Sequence, residues 1–155
     1  MRILVFSDTH REIERCIKTI ENIIGVDLIL HAGDHLTDGW ELFRAFPQIP
    51  IEYVKGNCDF KEGATELIIE AEGKKIFLTH GHFYNVKSES DYNTLKEYAK
   101  EKGCDMAVFG HTHIPYNENF GDFSLLNPGS AKYNRTFGVI EIENGKIKSA
   151  VCDLL

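Results

Sequence analysis

The sequence lacks several patterns that would assign it directly to a common class of protein. It contains no apolar run near the roughly 20 residues that an α-helix needs to cross a bilayer. It also contains neither G-x-G-x-x-G nor G-x-x-x-x-G-K-[ST], which removes the usual sequence grounds for a dinucleotide site or a P-loop nucleotide site. No repeat or low-complexity segment interrupts the 155 residues. Evidence for a catalytic function must therefore come from the types and spacing of reactive side chains.

Basic residues are too few to give the whole chain a cationic surface. The 17 lysines and arginines are outnumbered by 24 aspartates and glutamates, so the net charge is −7. Proteins that bind a nucleic acid backbone or an anionic membrane usually present a basic face, so we expect neither an extended nucleic acid nor a membrane as partner. A short phosphate-containing ligand remains compatible with this charge, because bound divalent cations would offset it locally.

The four cysteines are widely spaced, and no two of them form a C-x-x-C pair. This spacing disfavours a structural zinc cluster and favours reduced thiols. The sequence begins with the strand-like run RILVF rather than with a signal peptide, so we expect a cytoplasmic protein. With 43% hydrophobic and 26% charged residues, residues 1–155 have the composition and length of a single globular domain.

Hydrophobic periodicity predicts alternating strands and helices in the first half of the chain and mainly strands in the second. In the first half we expect strand 2–6, helix 11–24, strand 27–31, helix 38–46 and strand 51–55. In the second half we expect a hairpin of strands 65–72 and 75–79, helix 91–102, a strand leading to residue 110, and strands 115–120, 122–126, 136–143 and 146–154. The alternation indicates parallel units, so the predicted fold class is α/β.

Five of the strand-like runs end in residues that can bind a metal ion. In an α/β sheet the ends of the strands open into one crevice, so these residues are expected to converge there. Their carboxylate, amide and imidazole donors suit first-row divalent metals such as manganese, iron, cobalt, nickel or zinc. Seven donors are too many for one ion, and two-metal sites of this kind hydrolyse phosphate esters. The seven are Asp8, His10, Asp34, Asn57, His80, His111 and His113.

Two pairs among these donors share a spacing of two residues. Asp8 and His10 lie just past a strand, and His111 and His113 repeat the arrangement. Because alternate side chains of an extended chain point the same way, we expect an extended backbone to direct both members of each pair into the site.

Each piece has an ordinary structural explanation when it is taken alone. Asp8-Thr9-His10 is typical of a helix N-cap, and Gly33-Asp34 is typical of a turn. A lone histidine such as His80 is more often a buried, hydrogen-bonded side chain than a ligand. His31, inside a strand-like run, is expected in the core or beside a ligand that it orients. The metal hypothesis therefore depends on all five pieces occurring together.

The pieces are Ser7-Asp8-Thr9-His10, Gly33-Asp34, Gly56-Asn57-Cys58-Asp59, His80-Gly81-His82 and Gly110-His111-Thr112-His113. In this order they resemble the signature of the calcineurin-like metallophosphoesterase family. The segment LNPGS at 126–130 further resembles its small YfcE-like phosphodiesterase branch. The resemblance implies two mixed β-sheets packed face to face and flanked by helices, a four-layer sandwich.

The resemblance also implies a role for each donor. One ion would be held by Asp8, His10 and His113, and the other by Asn57, His80 and His111. Asp34 would bridge the two ions, and a hydroxide shared by them would attack the phosphorus of a small phosphodiester. The predicted catalytic residues are Asp34, Asn57 and His82. Manganese is the ion that the resemblance favours, with nickel, cobalt, iron and zinc as alternatives.

Cys58 departs from the pattern of the wider family. Many phosphomonoesterases and protein phosphatases of the family have a histidine there that protonates the leaving group. A thiol has an ordinary pKa of about 8.5 and hydrogen-bonds poorly, so it suits this role less well near neutral pH. The small phosphodiesterase branch commonly carries the same cysteine, so we expect diesters or esters with good leaving groups. The predicted substrate contacts are Arg11, His35 and Cys58, with Lys55 and Arg135 as alternative cations.

Two other functions stay open at this stage. A phosphomonoesterase or nucleotidase would use the same donors, and Cys58 is the feature that disfavours it. A similar fold serves as a non-catalytic protein-binding scaffold in the retromer complex, and the intact set of seven donors counts against that role. The sequence leaves the oligomeric state open, although the resemblance favours a homo-oligomer, with a dimer as the first choice.

Overall fold

Ten strands and three helices make up the fold. A computed structural model describes all 155 residues. The first half contains β1 (Arg2–Phe6), α1 (Glu14–Asn22), β2 (Leu28–His31), α2 (Leu36–Ala45) and β3 (Ile51–Tyr53). The second half contains β4 (Glu66–Ala71), β5 (Lys74–Thr79), α3 (Asn93–Glu101), β6 (Met106–Val108), β7 (Tyr116–Asn119), β8 (Ser124–Asn127), β9 (Thr136–Glu143) and β10 (Lys146–Asp153). None of the three helices has the length and apolar character that crossing a bilayer requires.

The strands form two mixed sheets of five strands each. The first has the order β10-β9-β1-β2-β3, in which β1, β2 and β3 are parallel and β9 is antiparallel to both of its neighbours. The second has the order β4-β5-β6-β8-β7, in which β5, β6 and β8 are parallel and the edge strands β4 and β7 are antiparallel. The predicted parallel units and the predicted mixed sheets are confirmed.

Alternating side chains along β1 assign each face of the first sheet to a different core. Ile3 and Val5 point toward the second sheet and belong to a core that both sheets share. Leu4 and Phe6 point the other way and pack against α1 and α2. The outer face of the second sheet packs on α3 around Leu95. The order of layers is therefore helices, sheet, sheet, helix, which confirms the predicted four-layer sandwich.

The predicted element boundaries differ most at the first helix. Helix 11–24 was expected, whereas α1 begins at Glu14 and ends at Asn22. Arg11 has a φ of 69°, a left-handed conformation that a right-handed α-helix cannot include. The chain therefore turns at Arg11 before the helix begins. Every other element begins and ends within two residues of its predicted bounds.

Candidate metal centre

The loops that follow five strands meet at one end of the two sheets. These strands are β1, β2 and β3 of the first sheet and β5 and β6 of the second. The donor residues form three overlapping groups, and within each group the donor atoms all lie within 4.8 Å of one another. The groups are Asp8, His10 and His113; His10, Asp34 and Cys58; and Asp8, Asp34 and His80. The structure thus brings five of the seven predicted ligands, together with Cys58, into one cluster.

The other two predicted ligands, Asn57 and His111, adjoin this cluster through His80. Oδ1 of Asn57 lies 3.1 Å from Nε2 of His80. The rings of His111 and His80 meet edge to face with their centroids 5.0 Å apart. The backbone N–H of His111 also donates to Oδ2 of Asp8 at 3.1 Å. All seven predicted ligands therefore belong to one site.

The backbone that directs these side chains is left-handed, and the expectation of an extended backbone was wrong. The φ values are 52° at Asp8, 44° at His10, 68° at His111 and 59° at His113. For a residue with a β-carbon, the left-handed conformation costs about 1–2 kcal/mol of free energy, so the surrounding structure must hold these four residues in it. Both members of each pair reach the site because the backbone adopts the left-handed conformation at each of them.

Two glycines of the sequence pieces are required because the chains approach so closely. A β-carbon at position 56 would lie 1.9 Å from Oδ1 of Asp34. A β-carbon at position 110 would lie 2.0 Å from Oγ of Ser7 and 2.7 Å from Oδ2 of Asp8. All three distances are far below van der Waals contact, so only glycine lets these loops reach the carboxylates.

Two buried donor atoms in the cluster have no hydrogen-bond partner. They are Oδ1 of Asp8, which is fully buried, and Nε2 of His10. Oδ1 of Asp8 lies 3.0 Å from Nε2 of His113, yet the two atoms are not aligned as a hydrogen bond. Leaving a buried polar atom unpaired costs about 1–3 kcal/mol. A first-row divalent cation would satisfy both atoms, so the residues present fit such an ion.

Asp34 and His80 form a buried pair in the middle of the cluster. Nε2 of His80 lies 3.4 Å from Oδ2 of Asp34, and its Nδ1 lies 2.7 Å from the carbonyl oxygen of Ala32. A carbonyl can only accept, so Nδ1 carries a proton. Burial lowers the pKa of His80, but the hydrogen bond with Asp34 and the charge of Asp8 outweigh it and raise this pKa above its ordinary value, so Nε2 can also carry a proton and donate to Asp34. Burial favours the neutral form of Asp34, but hydrogen bonds from His80 and Cys58 outweigh it and hold the pKa of Asp34 below its ordinary value. The carboxylate is thus ionised at neutral pH, the form that binds a cation.

A chain of hydrogen bonds beneath the first turn was not predicted from the sequence. Oγ1 of Thr9 lies 3.0 Å from Nε2 of the fully buried His31 and donates to Oδ2 of Asp38 at 2.6 Å. The backbone N–H of Arg11 donates to the same carboxylate oxygen at 2.7 Å. The contact with Thr9 agrees with the expectation that His31 orients a ligand segment. The sequence signal for Asp38 is its position four residues before Leu42, on the buried face of α2.

The predicted catalytic and substrate-binding residues lie at different places around the cluster. Nδ1 of His82 is buried without a partner, and its ring centroid lies 5.5 Å from that of His80. The ring of His35 meets the ring of His10 edge to face at 5.3 Å. The backbone N–H of Cys58 donates to Oδ1 of Asp34 at 3.0 Å. Arg11 instead faces a neighbouring cavity beside α1.

Comparison with known proteins identifies the family to which the chain belongs. Residues 1–145 match the family model described as the calcineurin-like phosphoesterase superfamily domain. The chain belongs to the calcineurin-like phosphoesterase superfamily. The resemblance identified from the sequence pieces is confirmed.

Relatives of this chain occur in bacteria and archaea. The probable metallophosphoesterase YsnB of Bacillus subtilis is 35% identical over 155 residues, which cover 93% of this chain and 86% of YsnB. Phosphodiesterase MJ0936 of Methanocaldococcus jannaschii is 25% identical over 177 residues, which cover 99% of this chain and 100% of MJ0936.

Solved structures of similar fold include both predicted enzymes and a sorting protein. A predicted phosphoesterase of Streptococcus pneumoniae superposes with a TM-score of 0.81 at 26% identity, covering 99% of this chain and 92% of that one. Vps29 of Entamoeba histolytica, in a complex with zinc, superposes with a TM-score of 0.75 at 24% identity and covers 99% of both chains. The likeness to Vps29 concerns the fold alone.

Proposed function

We propose that this phosphoesterase is a phosphodiesterase that uses two divalent metal ions to hydrolyse a small phosphodiester. The observation that carries the proposal is the pair of buried, unpartnered donor atoms, Oδ1 of Asp8 and Nε2 of His10, inside a cluster of oxygen and imidazole donors. Buried polar atoms without partners are costly, so their presence favours a bound cation. The relative named as a phosphodiesterase supports this choice among phosphoesterase reactions.

The proposed ligand sets follow the two sides of the cluster. Asp8, His10 and His113 would hold one ion, and Asn57, His80 and His111 would hold the other. Asp34 lies between the two sets, since its carboxylate groups with His10 on one side and with His80 on the other. Manganese is the first choice, followed by nickel, cobalt, iron or zinc, because all of them accept mixed oxygen and imidazole ligands.

The residues around the ions bind and orient the substrate. When bound, the two ions supply positive charge to the phosphoryl oxygens and activate a water molecule as the nucleophile. Asn57, on the exposed side of the cluster, helps to position the phosphate, and Nδ1 of His82 hydrogen-bonds a phosphoryl oxygen. Burial and the neighbouring His80 lower the pKa of His82, so this imidazole is neutral near pH 7. His35 contacts the substrate beside His10.

The environment of Cys58 bears on which esters are cleaved. Burial and the Asp34 carboxylate raise the pKa of the Cys58 thiol to about 11, so the thiol is neutral near pH 7 and releases its proton with difficulty. General acid catalysis is most effective when the pKa of the acid lies near the working pH. Cys58 therefore acts as a polar contact, and the enzyme favours esters whose leaving groups depart without protonation.

A protein-binding scaffold is the second candidate function. Three exposed apolar side chains lie close in sequence to residues of the site. Phe60 lies two residues after Cys58, Phe83 directly follows His82, and Ile114 directly follows His113. Exposed apolar side chains around a concave site are typical of surfaces that bind a protein or an organic ligand. Such a scaffold would keep the fold without metal-dependent turnover.

The first test is hydrolysis of bis-p-nitrophenyl phosphate by metal-stripped protein. Manganese, nickel, cobalt, zinc, iron or magnesium is added back, and p-nitrophenyl phosphate is assayed in parallel. We expect turnover that requires a metal and favours the diester. Faster turnover of the monoester would identify a phosphomonoesterase. No turnover with any metal, although two ions per chain are measured by mass spectrometry, would favour the scaffold.

A further inference from the structure

A cavity of about 380 Å³ lies beside the metal centre, between the start of α1 and the loop before β9. We call it the cationic cavity, because four of its seven lining residues are the cations Arg11, Arg15, Lys132 and Arg135. Its carboxylates are Glu12 and Glu14, and Ala131 is the remaining lining residue.

Positive charge exceeds negative charge in the cationic cavity. Nζ of Lys132 pairs with Glu12 at 3.1 Å, and Nη1 of Arg15 donates to the backbone oxygen of Leu155 at 3.4 Å. The guanidinium groups of Arg11 and Arg135 have no carboxylate within salt-bridge distance. The chain has only five arginines and a net charge of −7, yet three of the five arginines line this cavity. A guanidinium group matches the oxygens of a phosphate with two parallel hydrogen bonds. The cavity therefore suits a phosphate group.

On both of its walls, the cationic cavity includes a residue adjacent in sequence either to a proposed ligand or to a residue that contacts one. On one wall, Arg11 directly follows His10, and consecutive Cα atoms are about 3.8 Å apart. On the other wall, Lys132 precedes Tyr133, whose ring stacks on that of His113 with the centroids 5.2 Å apart. A ligand with a phosphodiester at the metal centre can thus extend a second group into the cavity.

Hydrogen bonds fix the backbone at two of these arginines in the left-handed region. The φ values are 69° at Arg11 and 60° at Arg135. The N–H of Arg11 donates to Asp38 at 2.7 Å, and the N–H of Arg135 donates to the carbonyl oxygen of Ser130 at 3.1 Å. Asp38 also accepts from Thr9, and the hydroxyl of Ser130 donates to the carbonyl oxygen of Asp8, so the acceptors that position both arginines also hold the turn that carries Asp8.

We infer that the cationic cavity binds a second phosphate group of the substrate. The substrate class is then a phosphodiester that also carries a phosphomonoester. Of the three cations that the sequence left open, Arg11 and Arg135 line the cavity, whereas Lys55 does not. The inference rests on the proposed function for the reaction at the metal centre, but binding of phosphate in the cavity can be tested without turnover.

The first experiment measures binding of inorganic phosphate to metal-stripped protein by NMR, using the arginine Nε–H signals. In the absence of metal, the Asp8 and Asp34 carboxylates repel phosphate from the metal centre, so binding reports the cavity. We expect the double variant Arg15→Ala/Arg135→Ala to bind phosphate about tenfold more weakly for each arginine removed. The control Arg44→Ala, on α2, should bind as the wild type does. Equal affinity in the double variant, or no binding to the wild type, would overturn the inference.

The second experiment compares kcat/KM for two p-nitrophenyl esters of thymidine 5′-phosphate, one with a 3′-phosphate and one without. We expect the wild type and Arg44→Ala to prefer the 3′-phosphorylated ester by at least about tenfold. In the double variant this preference should fall to about one. Equal kcat/KM values in the wild type would overturn the inference while leaving the phosphodiesterase intact. If both esters and bis-p-nitrophenyl phosphate are inert with every metal, the proposed function fails, and the phosphate titration alone decides whether the cavity is an anion site.

Discussion

Asp34 links the two sides of the proposed metal centre through one carboxylate. Oδ1 accepts from the N–H of Cys58 at 3.0 Å, and Oδ2 lies 3.4 Å from Nε2 of His80. Its donor atoms group with His10 on one side and with Asp8 and His80 on the other. At the scale of the single residue, we therefore expect the proposed function to depend most on the charge and the position of this carboxylate.

Substituting Asp34→Asn tests the charge of this carboxylate. The amide keeps the volume but removes the negative charge between the two proposed ions, so we expect kcat to fall by at least about a thousandfold. The measurement is turnover of bis-p-nitrophenyl phosphate at saturating manganese, with metal content determined on the same sample. Asp122→Asn, in the exposed turn before β8, is the control and should keep full activity. Wild-type turnover by Asp34→Asn at equal metal content would refute the bridging role.

Substituting Gly56→Ala tests the position of the same carboxylate. The new β-carbon would overlap Oδ1 of Asp34, so the carboxylate or the loop must move. A displacement of about 1 Å in a catalytic site costs about a hundredfold in rate, and we expect at least that loss of kcat/KM. The control is Gly73→Ala, which has a φ of 75° and open space around it. The control should lose about 1–2 kcal/mol of stability and no activity. Equal rates for both variants would contradict the close approach.

At the scale of the element, the helices act as supports that hold the strand ends in place. α2 carries Asp38, whose carboxylate accepts from Thr9 and from the N–H of Arg11 and so fixes the turn after β1. α3 covers the outer face of the second sheet with Leu95 and Ala99, behind the strands that lead to His80 and His111. Loss of packing under a helix should therefore lower stability before it changes the chemistry.

Substituting Leu95→Ala tests the packing of α3. Leu95 is fully buried, so removing its side-chain carbons should lower the free energy of unfolding by about 2–5 kcal/mol. Glu97→Ala, on the exposed face of the same helix, should change it by less than about 0.5 kcal/mol. Urea unfolding of both variants in EDTA measures the difference. Similar stabilities for the two variants would contradict the packing of α3 on the sheet.

At the scale of the whole molecule, the two sheets share one core. Side chains from β1 and β2 pack with side chains from β5, β6 and β8 in this core, and the metal centre lies where the loops of both sheets meet. The two sheets are therefore expected to unfold together, and residues 1–155 to behave as one domain. The predicted dimer and the predicted cytoplasmic location stay predictions.

Thermal unfolding in EDTA should follow one cooperative transition, seen at the same temperature by far-UV and near-UV circular dichroism. Manganese at about 100 times its dissociation constant should then stabilise the fold by about 2.7 kcal/mol per independent site, because it binds the folded state. Asp34→Asn should lose most of this gain. Two separate transitions, or no effect of the metal on the wild type, would contradict the joint core or the metal site respectively.

The sequence alone determined the family and the fold class, and it named the seven candidate donors that the structure brings together, whose role as ligands stays a prediction. It could do so because strands of five or so residues end at predictable points, and residues of these types at those ends have little structural reason to occur together. Except at the start of α1, the element bounds also followed to within two residues from periodicity and turn residues, which are local properties.

Tertiary structure decided how those donors meet. The left-handed backbone at Asp8 and His10 depends on hydrogen bonds to Gly33 and Asp34, which lie more than 20 residues away in sequence. The buried carboxylate of Asp38 depends on equally distant donors, Thr9 and the N–H of Arg11. The cationic cavity likewise joins Arg11 and Arg15 to Lys132 and Arg135 across most of the chain. A local sequence pattern indicates the propensity for a helix, a strand or a turn. Backbone strain, burial of a carboxylate and the approach of distant charges arise only when the two sheets pack together.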